Sequence, residues 1–322
     1  MRALVIDRTG ALSLRDRHKP DASRKECVIR VTAAGICGTD LELLRGYAGF
    51  EGIPGHEFVG IVEDAPAEDR RWIGRRVVGE ITVGCGQCAA CRTAGRGHCD
   101  VRTVVGIRSR DGAFAEYLSL PASNLHALPE SLPDDTAVFV EPTAAACRVV
   151  EQVKIDSHTR TAVVGAGRLG LLVAQVLRDC GVRPLVVGRG ERGRSIATSL
   201  GFDTATTDAS ALSRAFDVVV DATGNPDGFA ACARLVRPRG TIVLKSTVHG
   251  EMQVKLANLV VDEITVVGSR CGPFDRAIEL LDSGRVDVTP LVEGIYPLEQ
   301  FREAFRTAEH GLKVIFAPAQ LD

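Results

Sequence analysis

The 322-residue chain lacks a charge excess of either sign: 39 Lys and Arg stand against 41 Asp and Glu, for a net charge of −2. So balanced a surface leaves no electrostatic footprint for nucleic acid or an anionic membrane, and neither is expected as a partner. A small neutral or polar molecule fits better. Also missing is any uninterrupted apolar run of about 18 residues, the length a membrane-spanning helix needs. Met1 leads straight into a strand-like segment and not into a secretory leader, so a cytoplasmic protein is expected. There the ten cysteines read as metal ligands or buried thiols and not as a disulfide framework, and four of them are clustered. The length suits two domains with a substantial core.

The first third is mainly β. Met1 to Asp7, Cys27 to Ala34, Phe58 to Val62 and Arg75 to Val83 are rich in Val, Ile and Leu and bounded by Gly, Pro or charged residues. Between them stand GICGTD, from Gly35, and PGHE, ending at Glu57. Cys37 and His56 are the thiolate and imidazole that zinc prefers, and Thr39 adds a hydroxyl two residues from the thiolate. Thr39 is expected to cap a short helix through Leu44, placing Cys37 just before a helix start, where the dipole favours a thiolate. The bland reading is a core cysteine and a surface histidine. Downstream, CGQCAACRTAGRGHC sets Cys85, Cys88, Cys91 and Cys99 at spacings that close a tetrahedron with no open position, so a structural zinc is expected. A zinc-ribbon nucleic-acid module is disfavoured, because the loop has only Arg92 and Arg96 as basic residues and no aromatic platform. Gly112 to Leu120 reads as a strand and Pro121 to Leu132 as loop and edge. In Phe139-Val140-Glu141-Pro142 an acid ends an apolar run, either as an exposed cap or turned inward toward a cation.

From Thr143 the pattern changes. Thr143 to Val153 has helical spacing, and Thr161 to Val164 is a buried strand running into Gly165-Ala166-Gly167-Arg168-Leu169-Gly170 and a helix over Leu171 to Leu177. A bare GxGxxG is weak evidence, but here it joins a strand to a helix, as it must if amides and a helix dipole are to hold a pyrophosphate. Further strand and helix pairs follow: Pro184 to Val187 with Arg192 to Leu200, Asp217 to Asp221 with Asp227 to Val236, then Thr241 to Lys245. Alternation of this kind implies a doubly wound parallel sheet with its crevice at the carboxyl ends of the strands. Candidate crevice residues are Ala222, Thr223 and Gly224, then Ser246, Thr247 and Val248. About 20 residues past the glycines an NAD site has an acid for the ribose hydroxyls. This chain has Gly188 there, then Arg189, with Arg192 and Arg194 nearby, so NADP is preferred over NAD. The alternative is that Arg189 stacks on adenine while Glu191 takes the sugar. Arg270 is either a surface charge or a phosphate contact.

In the tail, Pro273 to Leu281 and Glu299 to Arg306 read as helices, the latter with Phe301 and Phe305 on one face, and Lys313 to Phe316 as a strand. The tail is expected to pack with the first domain. This gives a catalytic domain over 1–142 completed by 273–322, and a nucleotide-binding domain over 143–272.

Taken together, GICGTD, PGHEFVG, the four-cysteine loop, EP at 141–142, GAGRLG, DATG at 221–224 and YPL at 296–298 resemble the zinc-dependent medium-chain dehydrogenase/reductase family, which includes alcohol, sorbitol, threonine and glucose dehydrogenases. The resemblance covers essentially the whole chain. It implies a GroES-like β domain joined to a Rossmann domain, with the active site in the cleft between them. It makes Cys37 and His56 catalytic zinc ligands, with Glu57 or Glu141 and a water completing the shell. Thr39 becomes the hydroxyl that takes the substrate's proton, the four clustered cysteines hold a second zinc, and a homodimer or homotetramer is implied. Two departures stand out. Glu42 occupies the place of a relay histidine and looks more like the glucose dehydrogenase branch. The link between Cys37 and His56 is short, which gives Tyr47 and Phe50 a pocket of unusual shape.

The expected activity is reversible hydride transfer between an alcohol, polyol or sugar and a nicotinamide cofactor. One rival is a metal-independent NADPH enone or quinone reductase, which needs neither Cys37 nor His56 and which zinc analysis would separate. Another is a non-catalytic zinc- and NADP-binding sensor, which has no use for Thr39 as a proton acceptor.

Overall fold

A computed structural model describes residues 1–22, 25–207, 212–246 and 254–317. The chain divides into two compact units, Met1–Glu141 with the segment from Leu291 on, and Pro142–Pro290.

The first unit is built on a seven-stranded sheet. Its order is Val292–Tyr296, Lys313–Phe316, Cys27–Gly35, Glu57–Asp64, Arg76–Gly79 and Leu125–Ala127, with Tyr117–Leu120 also paired to Cys27–Gly35. Cys27–Gly35 is rich in β-branched and small residues and is buried along most of its length, as a central strand must be. The strand expected over Gly112 to Leu120 is confined to Tyr117–Leu120. Within the segment read as loop and edge, Leu125–Ala127 pairs antiparallel with Arg76–Gly79.

The tail completes this unit. Lys313–Phe316 lies antiparallel to Cys27–Gly35, with Ile315 opposite Gly35 and Phe316 opposite Ala34. Helix Phe301–His310 buries Phe301, Ala304, Phe305 and Ala308. Phe114 meets Phe316 edge-on with ring centroids 5.0 Å apart, and Phe305 at 6.0 Å, so one core draws on both ends of the chain. The return to this unit falls at Leu291, not at residue 273 as the sequence suggested. The intervening helix Phe274–Asp282 stays with the second unit because Arg276 pairs with Asp179, and Gln175 exchanges hydrogen bonds with the backbone of Asp287 at 3.0 and 2.8 Å.

The second unit holds six parallel strands in the order Thr204–Ala205, Leu185–Val187, Thr161–Val164, Phe216–Asp221, Val236–Leu244, Thr265–Gly268. Counted along the unit, that is 3-2-1-4-5-6, the doubly wound dinucleotide order, with its reversal between Thr161–Val164 and Phe216–Asp221. Helices Arg168–Asp179, Glu191–Ser199 and Asp227–Leu235 make the crossovers. The helix expected from Thr143 starts earlier, at Val140, so Glu141 and Pro142 stand in its first turn and do not end a strand. Among the described residues, no helix is long and apolar enough to cross a membrane.

Candidate functional site

Strand Cys27–Gly35 delivers the chain into helix Gly38–Leu44, and strand Glu57–Asp64 begins directly after His56. Because Gly35 lies opposite Glu57 in the ladder, the two motifs share one end of the sheet. Cys37, and not the expected Thr39, is the residue before the first helical position. The reason is Asp40, three residues on, whose Oδ2 accepts from Cys37 N at 2.8 Å and satisfies an amide the helix cannot.

Ligand atoms of Cys37, His56 and Glu57 lie within 4.8 Å of one another, with His56 and Glu57 buried. Sulfur, nitrogen and oxygen from three side chains are the donor set of a zinc centre that keeps a position open, so these residues fit that ion. Glu141, the other carboxylate expected here, is not in this group. Thr39 Oγ1 stands 3.8 Å from Cys37 Sγ. Glu42 is turned to Arg45, with Oε1 accepting from Nη1 at 2.7 Å. Phe50 is buried in a small apolar cluster with Ile6 and Leu43, against which Tyr47 packs.

Two residues that sequence reasoning missed complete the surroundings. Asp40 is fully buried, accepts from Gly55 N at 3.2 Å and has Oδ1 3.5 Å from His56 Nδ1, close enough to act on the imidazole by charge though outside hydrogen-bond geometry. Burial would lower the pKa of His56, but the charges of Asp40 and Cys37 outweigh it and raise it well above 6.5. Lys313 is also buried. Its Nζ donates to Glu57 Oε2 and, at 3.4 Å, to Ile36 O. Gly35 makes room for this pair, since a Cβ there would come 2.6 Å from Glu57 Oε2 and 3.2 Å from Lys313 Cδ. Asp40 was findable, as position i+3 from a helix-capping cysteine. Lys313 gave no local signal, because its partner is 256 residues away.

In the cysteine loop, Cys85 Sγ lies 4.0 Å from Cys91 Sγ, and Cys88 Sγ lies 3.9 Å from Cys99 Sγ. Four sulfurs at 2.3 Å from a central zinc stand about 3.8 Å apart, so the cluster has the size of a closed thiolate tetrahedron.

In the second unit, Gly167 precedes helix Arg168–Asp179, which opens with Arg168, Leu169 and Gly170. Gly165 has φ +113, and a Cβ there would come 2.5 Å from Ala222 O; at Gly167 a Cβ would meet nothing within 4 Å. The turn is therefore closed on the protein side and open at its middle glycine, the shape that fits a pyrophosphate on a helix N-terminus. Gly188 lacks a side chain for a packing reason, since a Cβ would come 2.8 Å from Ala166 Cβ. Arg194 Nη1 donates to the carbonyls of Gly188 and Arg189, each at 2.8 Å, and braces that turn. The Arg189 guanidinium is two-thirds exposed and 3.9 Å from Asp227 Oδ2, itself well exposed, a pairing too solvated to hold it firmly. Thr223, Gly224 and Ser246 come together, with Gly224 N donating to Ser246 Oγ at 2.8 Å. Arg270 is exposed, its Nη1 3.6 Å from Cys271 Sγ. Thr247 and Val248 lie outside the described residues.

This combination of folds and sites defines a class. Residues 23–130 match the family model of the alcohol dehydrogenase GroES-like domain, and residues 169–283 match that of zinc-binding dehydrogenases. The chain belongs to the zinc-type medium-chain dehydrogenase/reductase family, whose members are NAD(P)-linked oxidoreductases. It is similar to L-threonine 3-dehydrogenase of Streptomyces avermitilis, at 30% identity over 97% of this chain and 97% of the relative. RspB of Escherichia coli CFT073, described as a short chain alcohol dehydrogenase and solved with NADH, superposes with a TM-score of 0.90 at 26% identity, covering 98% of this chain and 99% of that one. A protein of Sinorhizobium meliloti 1021 solved with NADP has the same TM-score, identity and coverage.

Proposed function

We propose that the protein is a zinc-dependent dehydrogenase of the cytoplasm that oxidises an alcohol or polyol reversibly, with NADP preferred over NAD. The observation that carries the reading is the buried convergence of Cys37, His56 and Glu57 beside the Thr39 hydroxyl. Zinc bound there supplies Lewis-acid activation of a hydroxyl oxygen. Thr39 receives the substrate's proton, and Glu42, on the same helix, is the group through which it leaves toward solvent. Asp40 acts on the imidazole by charge, and Lys313 balances the charge of Glu57. The second unit binds the hydride acceptor: the turn from Gly165 to Gly170 takes the pyrophosphate, and Ala222, Thr223, Gly224 and Ser246 line the strand ends. Arg270 is assigned a phosphate contact.

The cofactor preference rests on Gly188 and Arg189. Gly188 replaces the acid that would repel a 2′-phosphate, and the loosely held Arg189 guanidinium offers it a planar fork. The cysteine loop takes a second, structural zinc. Cytoplasmic residence is in keeping with cysteines grouped as metal ligands. Two copies pair through the edge strand Thr265–Gly268 and helix Leu256–Val261, where Leu256, Val260 and Val261 are 67%, 75% and 81% exposed.

The test is a panel of alcohols, sugars and polyols against NAD and NADP, read by absorbance of the reduced nicotinamide, with zinc content measured alongside. About two zincs per chain and reduction of NADP by one substrate class are expected. Unchanged turnover and metal content in Cys37→Ser would overturn the mechanism.

A further inference from the structure

Strand Phe216–Asp221 ends between Thr161–Val164 and Val236–Leu244, with Asp221 opposite both Val164 and Leu244, at the point where strand order reverses. Asp221 is fully buried. One of its oxygens, Oδ1, accepts from Thr223 N at 2.9 Å, Thr223 Oγ1 at 2.8 Å and Ser246 Oγ at 3.2 Å. The hydroxyls pass the order on: Ser246 Oγ accepts from Gly224 N at 2.8 Å, and Thr223 Oγ1 accepts from Asn225 N at 3.3 Å. The main chain of the same residue is engaged too, its carbonyl accepting from Lys245 N at 2.9 Å. Ala222 N donates to Val164 O at 2.8 Å, next to the close approach of Gly165. Two loops at the carboxyl ends of neighbouring strands, one of them beside the glycine turn, are thus pinned by one carboxylate.

A buried carboxylate is costly unless its lone pairs are used; here Oδ2 finds no hydrogen-bond partner among the described residues, while Oδ1 takes three donors at once and fixes their directions together. Both hydroxyls lie within donating distance of Asp221 Oδ1, and Thr223 Oγ1 is also 3.3 Å from Asn225 O, so each has an acceptor inside the protein.

We propose that Asp221 is a positioning residue for the nicotinamide cofactor, holding Thr223, Gly224 and Ser246 in one binding-competent arrangement. The inference rests on the reading of these strand ends as the cofactor crevice. The experiment measures NADPH affinity from the fluorescence of the reduced nicotinamide, with kcat at saturating cofactor, in Asp221→Ala, Asp221→Asn, Ser246→Ala and the Asp221→Ala/Ser246→Ala double variant. Asp221→Ala raises Kd about tenfold or more, the size of a lost hydrogen bond to a charged group, while kcat changes less than about threefold. Asp221→Asn keeps an acceptor oxygen at the Oδ1 position and recovers most of the affinity. Ser246→Ala weakens binding in the native background and adds nothing once Asp221 is gone. Fully additive effects of Asp221→Ala and Ser246→Ala, or an unchanged Kd in Asp221→Ala, overturn the proposal. Should Asp221→Ala fail to fold, Ser246→Ala and Thr223→Val carry the test, and unchanged Kd in both overturns it. A native protein that binds neither NADPH nor NADH instead overturns the crevice reading, and the proposal with it.

Discussion

Replacing Lys313 by Met removes the cation from a buried ion pair while keeping most of the side-chain volume. The side chains of Lys313 and Glu57 are 2% and 1% exposed, and the room for them is created by Gly35. Water therefore has no path to resolvate the carboxylate left behind. Breaking such a pair from one side costs about 3–5 kcal/mol. With an m-value of about 3 kcal/mol per molar urea, the midpoint falls by roughly 1–1.7 M. The assay is built into the chain, because its single tryptophan, Trp72, packs on the core of the first unit, so its fluorescence reports unfolding of the unit that holds the pair. Measurements are made with a chelator present, so that every variant is compared without metal. Adding Glu57→Gln to Lys313→Met removes the stranded charge and restores most of the loss, since a neutral pair replaces a broken one. A single variant within about 0.5 kcal/mol of the native protein, or a double variant no better than the single, would refute the reasoning.

Three further outcomes follow from the same geometry. Arg189→Glu lowers kcat/KM for NADP about tenfold or more and leaves NAD within about threefold, because it sets a like charge against the 2′-phosphate; equal losses with both cofactors would count against the assignment. Cys91→Ser lowers zinc content from about two per chain to about one, and an unchanged content by elemental analysis would exclude the cysteine cluster as a zinc site. Burial pushes the carboxyl of Asp217 up, but hydrogen bonds from Arg237 and from Arg160, backbone and side chain, more than compensate and hold its pKa below 3.8. Its contribution to stability is therefore complete above 3.8 and lost as pH falls through the lower folded value. Asp217→Asn should narrow the gap between native and variant stability as the pH is taken down to 3, and a constant gap by urea titration would refute this.

The grouping of Cys37 with His56 and Glu57, and of the four loop cysteines, was legible because each group sits in short motifs of ligand-type residues: a cysteine before a helix, a histidine before a strand, and cysteines at close spacing. The doubly wound sheet was legible from the alternation of apolar strands and helices, which period and length encode locally. What escaped was whatever depends on a partner far along the chain. Nothing in the strand KVIF announces that Lys313 is buried against Glu57, and nothing near residue 273 shows that Arg276 is tied back to Asp179. The start of the first helix was misplaced by two residues because Thr39 is the better capping side chain in isolation, whereas Asp40 reaches back to the Cys37 amide and sets the boundary there. Glu141, the alternative to Glu57, stands in the first turn of the helix that begins at Val140 and outside the group of Cys37, His56 and Glu57.

The strand Lys313–Phe316 also has a consequence for biosynthesis. It leaves the ribosome long after Cys27–Gly35, the strand beside which it inserts. The intervening 142–290 segment forms a unit of its own. At about 5–20 residues per second, the strand Cys27–Gly35 waits roughly 15–55 s for this neighbour. During that interval the edge of Cys27–Gly35 that will meet it stays unsatisfied, and Glu57 has no counter-ion. A chain released before residue 313 keeps Cys37 and His56 but never acquires Lys313 beside Glu57, so truncation there should be as damaging to the first unit as loss of a core strand.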